Sequence, residues 1–325
     1  MPACCLLGSG HAVPERVLTN ADLETLVDTS DAWIVERSGI HQRHIAEPGS
    51  ALSDLAAQAA NQALAAAQLP ASEIDLILVA TVTGDFKFPA MACLLQEKLG
   101  AHQAAAFDLS AACSGFLYGL HLADSLIRSG GHRHILLVAA EMLSSMVNWQ
   151  DRNTCVLFGD GAGALVLGPA RTSAGLLSSV IHSDGRQHGL LYNPAGSQHP
   201  LTAADLASGF ATIHMEGREV FRHAVVSMAD ALQEALHKAG IAQDDLDLLI
   251  PHQANRRIIE AIGKRFGLPA ERVYINVDRY GNTSAASIPI ALDEAWRSGR
   301  IQAGQHVGLT TFGAGLTWAA AILRF

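Results

Sequence analysis

The chain has 325 residues, enough for two domains or one large α/β unit with ample core, and nearly half of them are apolar. A net charge of −9 argues against general nucleic-acid binding. Every apolar run is cut by charge, Gly or Pro within the ~20 residues a membrane span needs, and five cysteines without C-x-x-C spacing suggest a reduced, cytoplasmic protein with no disulfide frame and no metal site.

In chain order, the opening MPACCLLGSGHAVPERV lacks a basic leader and is too short for a signal peptide. It reads as a first strand whose two cysteines act as small hydrophobes. A helix is expected over 52–68, then a strand over 74–82 (IDLILVATV). At Cys113, within AFDLSAACSGFLYGL, a short apolar run hands over to a long helix, and RHILLVAAE (133–141) returns to strand. CVLFGDGAGALVLG (155–168) predicts two short strands around a Gly-rich turn. Its GDGAG lacks G-x-G-x-x-G spacing and precedes strand-like residues, so it reads as a β-turn and not a nucleotide loop. A second long helix (220–239) leads into DLDLLIPHQANRR (245–257), and 304–325 closes the chain with two strands. The alternation favours a mixed or parallel sheet covered by helices.

The halves echo each other. EIDLILVA (73–80) matches DLDLLIPH (245–252) at an offset of 172, and DSLIRSG (124–130) matches DEAWRSG (293–299) at an offset of 169. The second offset sets Cys113 against Asn282, each expected to begin the equivalent helix of a duplicated unit. The expected halves are 1–170, with the cysteine, and 171–325, with the histidine and asparagine. No linker separates them, so they should pack tightly.

A thiol at a helix start is pushed toward thiolate by the helix dipole and free N–H groups. The small neighbours Ala111, Ala112, Ser114 and Gly115 would admit a substrate carbonyl. The plainer reading of Cys113 is a small buried residue. His252 ends a strand in polar company with Asn255, where a hydrogen-bonded structural role is the plainer reading. Gly281 suits a tight turn, and Asn282 and Thr283 suit helix capping. Together a Cys, a His and an Asn at one sheet edge form a nucleophilic constellation. Beyond a general nucleophilic site, a Cys-His-Asn hydrolase fits it, in which Asn orients the His and water finishes the reaction. Either could use backbone N–H groups of FGAGLTW (312–318) to hold an oxyanion.

AACSGF, PHQAN and GNTSAAS, in that order, resemble the active-site motifs of the β-ketoacyl-[acyl-carrier-protein] synthase III family. The likeness runs from TNADLETLVDTSDAWIVERSGI to FGAGLTWAAAILRF. It implies a thiolase-like fold, with duplicated halves in a five-layer α-β-α-β-α arrangement, and a homodimer. It implies that Cys113 takes an acyl group from acyl-CoA, a substrate and not a cofactor, and that malonyl-acyl carrier protein is then condensed onto it with loss of CO₂. By the same likeness His252 and Asn282 hydrogen-bond the malonyl thioester oxygen, and the N–H groups of Cys113 and Ala314 hold the acyl-thioester oxygen. Trp33 and Arg152 would clasp the CoA adenine, Arg37 would lie near its phosphates, and Asn255 would join the CoA site. Phe88 would reach across the dimer and limit the acyl pocket. Arg222, Arg256, Arg257, Lys264 and Arg265 would receive the acidic carrier; their plainer reading is a solvated helix face. Ala314 replaces a usual glycine, which would strain a backbone with positive φ. Ser114, Ser38 and Tyr280 depart from the family's usual residues without removing a catalytic group. Related condensing enzymes of secondary metabolism, a thioester hydrolase and a non-catalytic acyl-CoA binder remain as alternatives.

Overall fold

The computed structural model describes residues 4–325, so the first three residues of the predicted opening strand lie outside the described part. Within it, the first half supplies β1 (Cys4–Ala12), α1 (Asp31–Ser38), α2 (Leu52–Ala67), β2 (Leu76–Ala80), α3 (Met91–Leu99), β3 (Ala105–Leu109), α4 (Gly115–Arg128), β4 (Ile135–Met142) and β5 (Asp160–Pro169). Then follow β6 (Gly175–Ser183), α5 (Gly217–Ala239), β7 (Leu248–Pro251), α6 (Arg256–Arg265), α7 (Ser287–Arg297), β8 (His306–Gly313) and β9 (Thr317–Arg324). No described helix is long and apolar enough to cross a membrane.

Two sheets share one plan. The first runs β1-β5-β4-β2-β3, with β2 parallel to both its neighbours; the second runs β6-β9-β8-β7, with β7 parallel to β8. The counterpart of β3 shrinks to a single parallel bridge, Leu249 to Val273. β2 is buried on both faces, which explains its unbroken apolar run. Leu76, Leu78 and Ala80 turn toward a central layer, Ile77 and Val79 toward the outside, the period of two of a strand. The central layer is α4 and α7, whose Leu120 and Leu292 share one core with Leu137 of the first sheet and Leu309 of the second. α2 and α3 cover the outer face of the first sheet through Leu55 and Leu95, and α5 and α6 that of the second through Leu232 and Ile262. The result is the five-layer α-β-α-β-α stack.

Two expectations need correction. GDGAG is no turn: β5 starts at Asp160 and runs straight through Gly161 and Gly163. A Cβ on Gly161 would lie 2.9 Å from Ile290, and one on Gly163 would lie 2.7 Å from Pro289. These glycines let α7 lie close on the strand; they do not bend it. The pairing of Cys113 with Asn282 also slips. Each central helix follows a 3₁₀ turn, Ala112–Ser114 in one half and Ser284–Ala286 in the other, and each turn opens on a left-handed non-glycine, Ala112 (φ 47°) and Ser284 (φ 52°). Cys113 is therefore equivalent to Ala285, and Asn282 lies three positions too early. α4 has 14 residues and α7 has 11, so the offset of 169 holds only at the helix ends, while 172 holds for the strands and the turns.

Candidate active site

The nucleophile turn is gripped by the β8–β9 hairpin. Thr311 Oγ1 donates to the Cys113 carbonyl at 3.0 Å, Thr317 Oγ1 to that of Ala111 at 3.1 Å, and Ser114 Oγ to that of Thr317 at 3.1 Å. Gly313 lies so close that a Cβ there would sit 2.8 Å from the Cys113 nitrogen. Ala314 is not among the residues with positive φ; that conformation falls to Gly315 (φ 135°), so alanine is unstrained at this position.

His252 follows β7. It is buried, its N–H donates to the Thr310 carbonyl at 2.8 Å, and its Nδ1 lies 2.6 Å from Ser287 Oγ at the start of α7. Burial lowers its pKa to about 3, so the ring is neutral at physiological pH. Asn282 is held by its backbone against Leu157 (N–H to carbonyl, 2.8 Å) and Gly159 (carbonyl from N–H, 3.0 Å). Its Oδ1 accepts the Ser284 N–H at 2.9 Å, which commits the oxygen and leaves the amide NH₂ for the cavity. The Cys113 thiol does not follow the expected drift toward thiolate. Burial pushes it up to about 11, the nearby Glu141 carboxyl adds to the rise, and a hydrogen bond with Ser284 only partly offsets it.

Glu141 was missed in the sequence, although a lone acid closing ILLVAAE is a visible signal. It is fully buried and receives Val82 N–H at 3.2 Å, Thr81 and Thr83 hydroxyls, and Ser284 Oγ at 3.4 Å across the boundary between the halves. Burial still raises its pKa to about 7. Ser287 is the other residue that sequence reasoning passed over; it stood inside the quoted GNTSAAS.

Cys113, His252 and Asn282 line one cavity of about 690 Å³ together with Trp33, Arg37, Asn255 and Arg257. Phe221, Met215 and Leu191 supply apolar wall. Trp33 sits at the mouth with the Arg37 guanidinium 4.7 Å and the Arg152 guanidinium 5.1 Å from its ring centre. Arg152 also donates to the Asp28 carbonyl at 2.9 Å. Asn255 is committed within the protein: its Nδ2 donates to the Arg37 carbonyl and its Oδ1 caps α6 through Arg257 N–H. Arg222, Arg256, Lys264 and Arg265 lie exposed outside the cavity. Three of them are neutralised locally, Arg222 by Glu219, Arg256 by Glu260 and Arg265 by Asp230, while Arg257 lies 5.7 Å over the Phe221 ring. Phe88 is 86% exposed and does not reach the cavity.

A partly exposed thiol, a neutral imidazole and an oriented amide around a cavity with cations at its mouth suit acyl transfer from an anionic thioester carrier. Comparison with known proteins agrees. Sequence models of 3-oxoacyl-[acyl-carrier-protein (ACP)] synthase III match residues 107–185, and of its C terminal residues 236–325. The β-ketoacyl-[acyl-carrier-protein] synthase III of Roseiflexus sp. (strain RS-1) is 53% identical over 98% of both chains. The crystal structure of 3-oxoacyl-[acyl-carrier-protein] synthase III from Aquifex aeolicus VF5 superimposes with a TM-score of 0.93 at 45% identity, covering 99% of this chain and 100% of that one. The priming β-ketosynthase of the R1128 polyketide biosynthetic pathway gives a TM-score of 0.93 at 36% identity, covering 100% of this chain and 96% of its own. On fold, motifs and full-length identity alike, the chain belongs to the β-ketoacyl-[acyl-carrier-protein] synthase III family.

Proposed function

We propose that this chain condenses a short acyl-CoA primer, such as acetyl-CoA, with malonyl-acyl carrier protein to give a β-ketoacyl-acyl carrier protein, the step that initiates fatty acid synthesis. Family membership supports the overall reaction. The single observation that supports this reading is the shared cavity, where the thiol meets two neutral N–H donors, while the carboxylate in the wall, Asp151, accepts from Asn153 and Thr154.

The Cys113 sulfur bonds the acyl carbon as the C–S bond to CoA breaks, and CoA leaves with the thiol proton. The backbone N–H groups of Cys113 and Ala314 face the developing oxyanion. Malonyl-acyl carrier protein then places its thioester oxygen between His252 and Asn282. The C–C bond to the carboxylate breaks, CO₂ leaves, and the electron pair becomes an enolate held by the two donors, each supplying ~3 kcal/mol. The enolate carbon attacks the acyl carbonyl, the C–S bond to Cys113 breaks, and the thiolate takes a proton from solvent. Two neutral donors suit this step, because a fixed anion would oppose the enolate. All atoms come from the two thioesters, the chain and solvent; acyl-CoA is a substrate, and no resident cofactor takes part.

The CoA adenine would enter between Trp33 and Arg152, with Arg37 and Asn255 beyond it. The carrier would dock on the exposed face of Arg222, Arg256, Arg257, Lys264 and Arg265. A second copy would cover the open edge at β3, where Phe86, Phe88 and Phe107 are exposed, making a homodimer in the cytoplasm. Likeness to a polyketide priming enzyme supports a second reading with a different primer and acceptor carrier.

Intact-protein mass spectrometry with a panel of acyl-CoAs, with and without malonyl-acyl carrier protein, tests the reading. An adduct on Cys113 that persists alone and is consumed with the carrier to give β-ketoacyl product is expected. An adduct that hydrolyses in buffer would instead make the protein a hydrolase, and no adduct would make it a binder.

A further inference from the structure

The hydroxyl of Ser287 has two neighbours and one proton. Gln253 N–H donates to its oxygen at 3.2 Å, and His252 Nδ1 lies 2.6 Å away. The Gln253 N–H can only donate, so it takes an oxygen lone pair. The hydroxyl proton then needs an acceptor, and among the described residues Nδ1 is the one within reach. In the reverse arrangement Nδ1–H would donate to the same oxygen. The hydroxyl would then receive two donors, and its own proton would have no acceptor at a site only 2% exposed.

We infer that Ser287 is a positioning residue that donates to His252 Nδ1 and so holds the imidazole as the Nε2–H tautomer, with its one N–H turned to the cavity. The neutrality of the buried ring is consistent with this. The turn that carries Ser287 also orients the second donor, since Ser284 N–H commits the Asn282 oxygen. One five-residue stretch, 283–287, therefore aims both N–H groups at the same place. This inference rests on the proposed role of His252 as a donor to the malonyl thioester.

The test compares wild type, Ser287→Ala, Ser287→Thr and His252→Ala. Imidazole ¹⁵N shifts in histidine-labelled protein, with His252 identified by its loss in His252→Ala, read the tautomer. Release of CO₂ from malonyl-acyl carrier protein and acylation of Cys113 are timed separately. Wild type is expected as Nε2–H. Ser287→Ala should shift toward Nδ1–H and slow decarboxylation roughly 10- to 100-fold, the range that losing the outer partner of a metal-bound imidazole costs. Acylation should fall much less, and Ser287→Thr should restore tautomer and rate together. An unchanged tautomer in Ser287→Ala, or equal loss in both half-reactions, overturns the inference. If His252→Ala decarboxylates as fast as wild type, the donor role itself fails, whatever the tautomer of the wild-type ring.

Discussion

The two halves repeat one frame and fill it differently. At an offset of 172, Gly115 opens α4 where Ser287 opens α7, and Ala80 ends β2 where His252 follows β7. In the first half this contact is bare packing, a Cβ on Gly115 falling 3.0 Å from Ala80 Cβ. In the second it is the hydrogen bond from Ser287 to His252. The ends of β4 and β8 cross over in the same way. β2 pairs with β4 from Leu76–Ile135 and β7 with β8 from Leu248–Val307, so Glu141 corresponds to Gly313. Glu141 reaches the turn of the second half through Ser284, and Gly313 backs the turn of the first half at Cys113. The duplication supplies rigid turns at a shared boundary; the chemistry lies in where the copies differ.

Removing the polar members of the second half should have the largest effect. His252→Ala and Asn282→Ala are each expected to lower condensation ~10²–10³-fold, measured as the rate of β-ketoacyl product formation per active site. The two effects should not add, because both donors serve one oxygen. Equal retention of product in either variant would end the donor assignment.

The first half predicts a thiol that is protonated in the free protein. With its pKa pushed from 9.0 to about 11, Cys113 should carry about a hundredfold less thiolate at pH 7 than an ordinary cysteine. Alkylation of the Cys113 peptide, followed by mass spectrometry, should still be accelerating at pH 10. A plateau near pH 7 would mean that the helix dipole outweighs burial after all.

The two buried ionisable groups tie stability to pH with opposite signs. His252 falls from 6.5 to about 3, so the unfolded chain binds its proton first and stability is lost as pH drops through that window. Glu141 rises from 4.5 to about 7, so its contribution is full below pH 4.5 and is lost as pH climbs through 7. Each swing is on the order of a few kcal/mol. Urea titrations across pH should show a gentler acid limb in His252→Asn and a gentler decline above pH 4.5 in Glu141→Gln. Identical profiles would place both groups in more solvated surroundings.

The smallest effect tests the close approach of Gly313 to the turn at Cys113. Gly313→Ala puts a Cβ 2.8 Å from the Cys113 nitrogen, which should cost ~1–3 kcal/mol as overpacking and slow acylation by displacing the turn. Denaturation and acylation kinetics together check this. An unaffected acylation rate would show that the turn tolerates movement.

Cys113, His252 and Asn282 were legible because each stands in a short motif with its own turn chemistry, and the strands were legible from unbroken apolar runs. GDGAG misled because glycine serves turns and close packing equally; only α7 lying on β5 distinguishes them. The slip of three between Cys113 and Asn282 came from a helix-length difference that no single offset can carry. Glu141 meets Ser284 across 143 residues, and Ser287 meets His252 across 35. The elements, their repetition and the three polar side chains that share the cavity can be read from the chain alone, because periodicity and turn chemistry act over a few neighbouring residues. The partner of the imidazole, the orientation of the amide and the protonation of the thiol emerge only in the folded chain, because they depend on which groups gather around each side chain and on how far water is excluded.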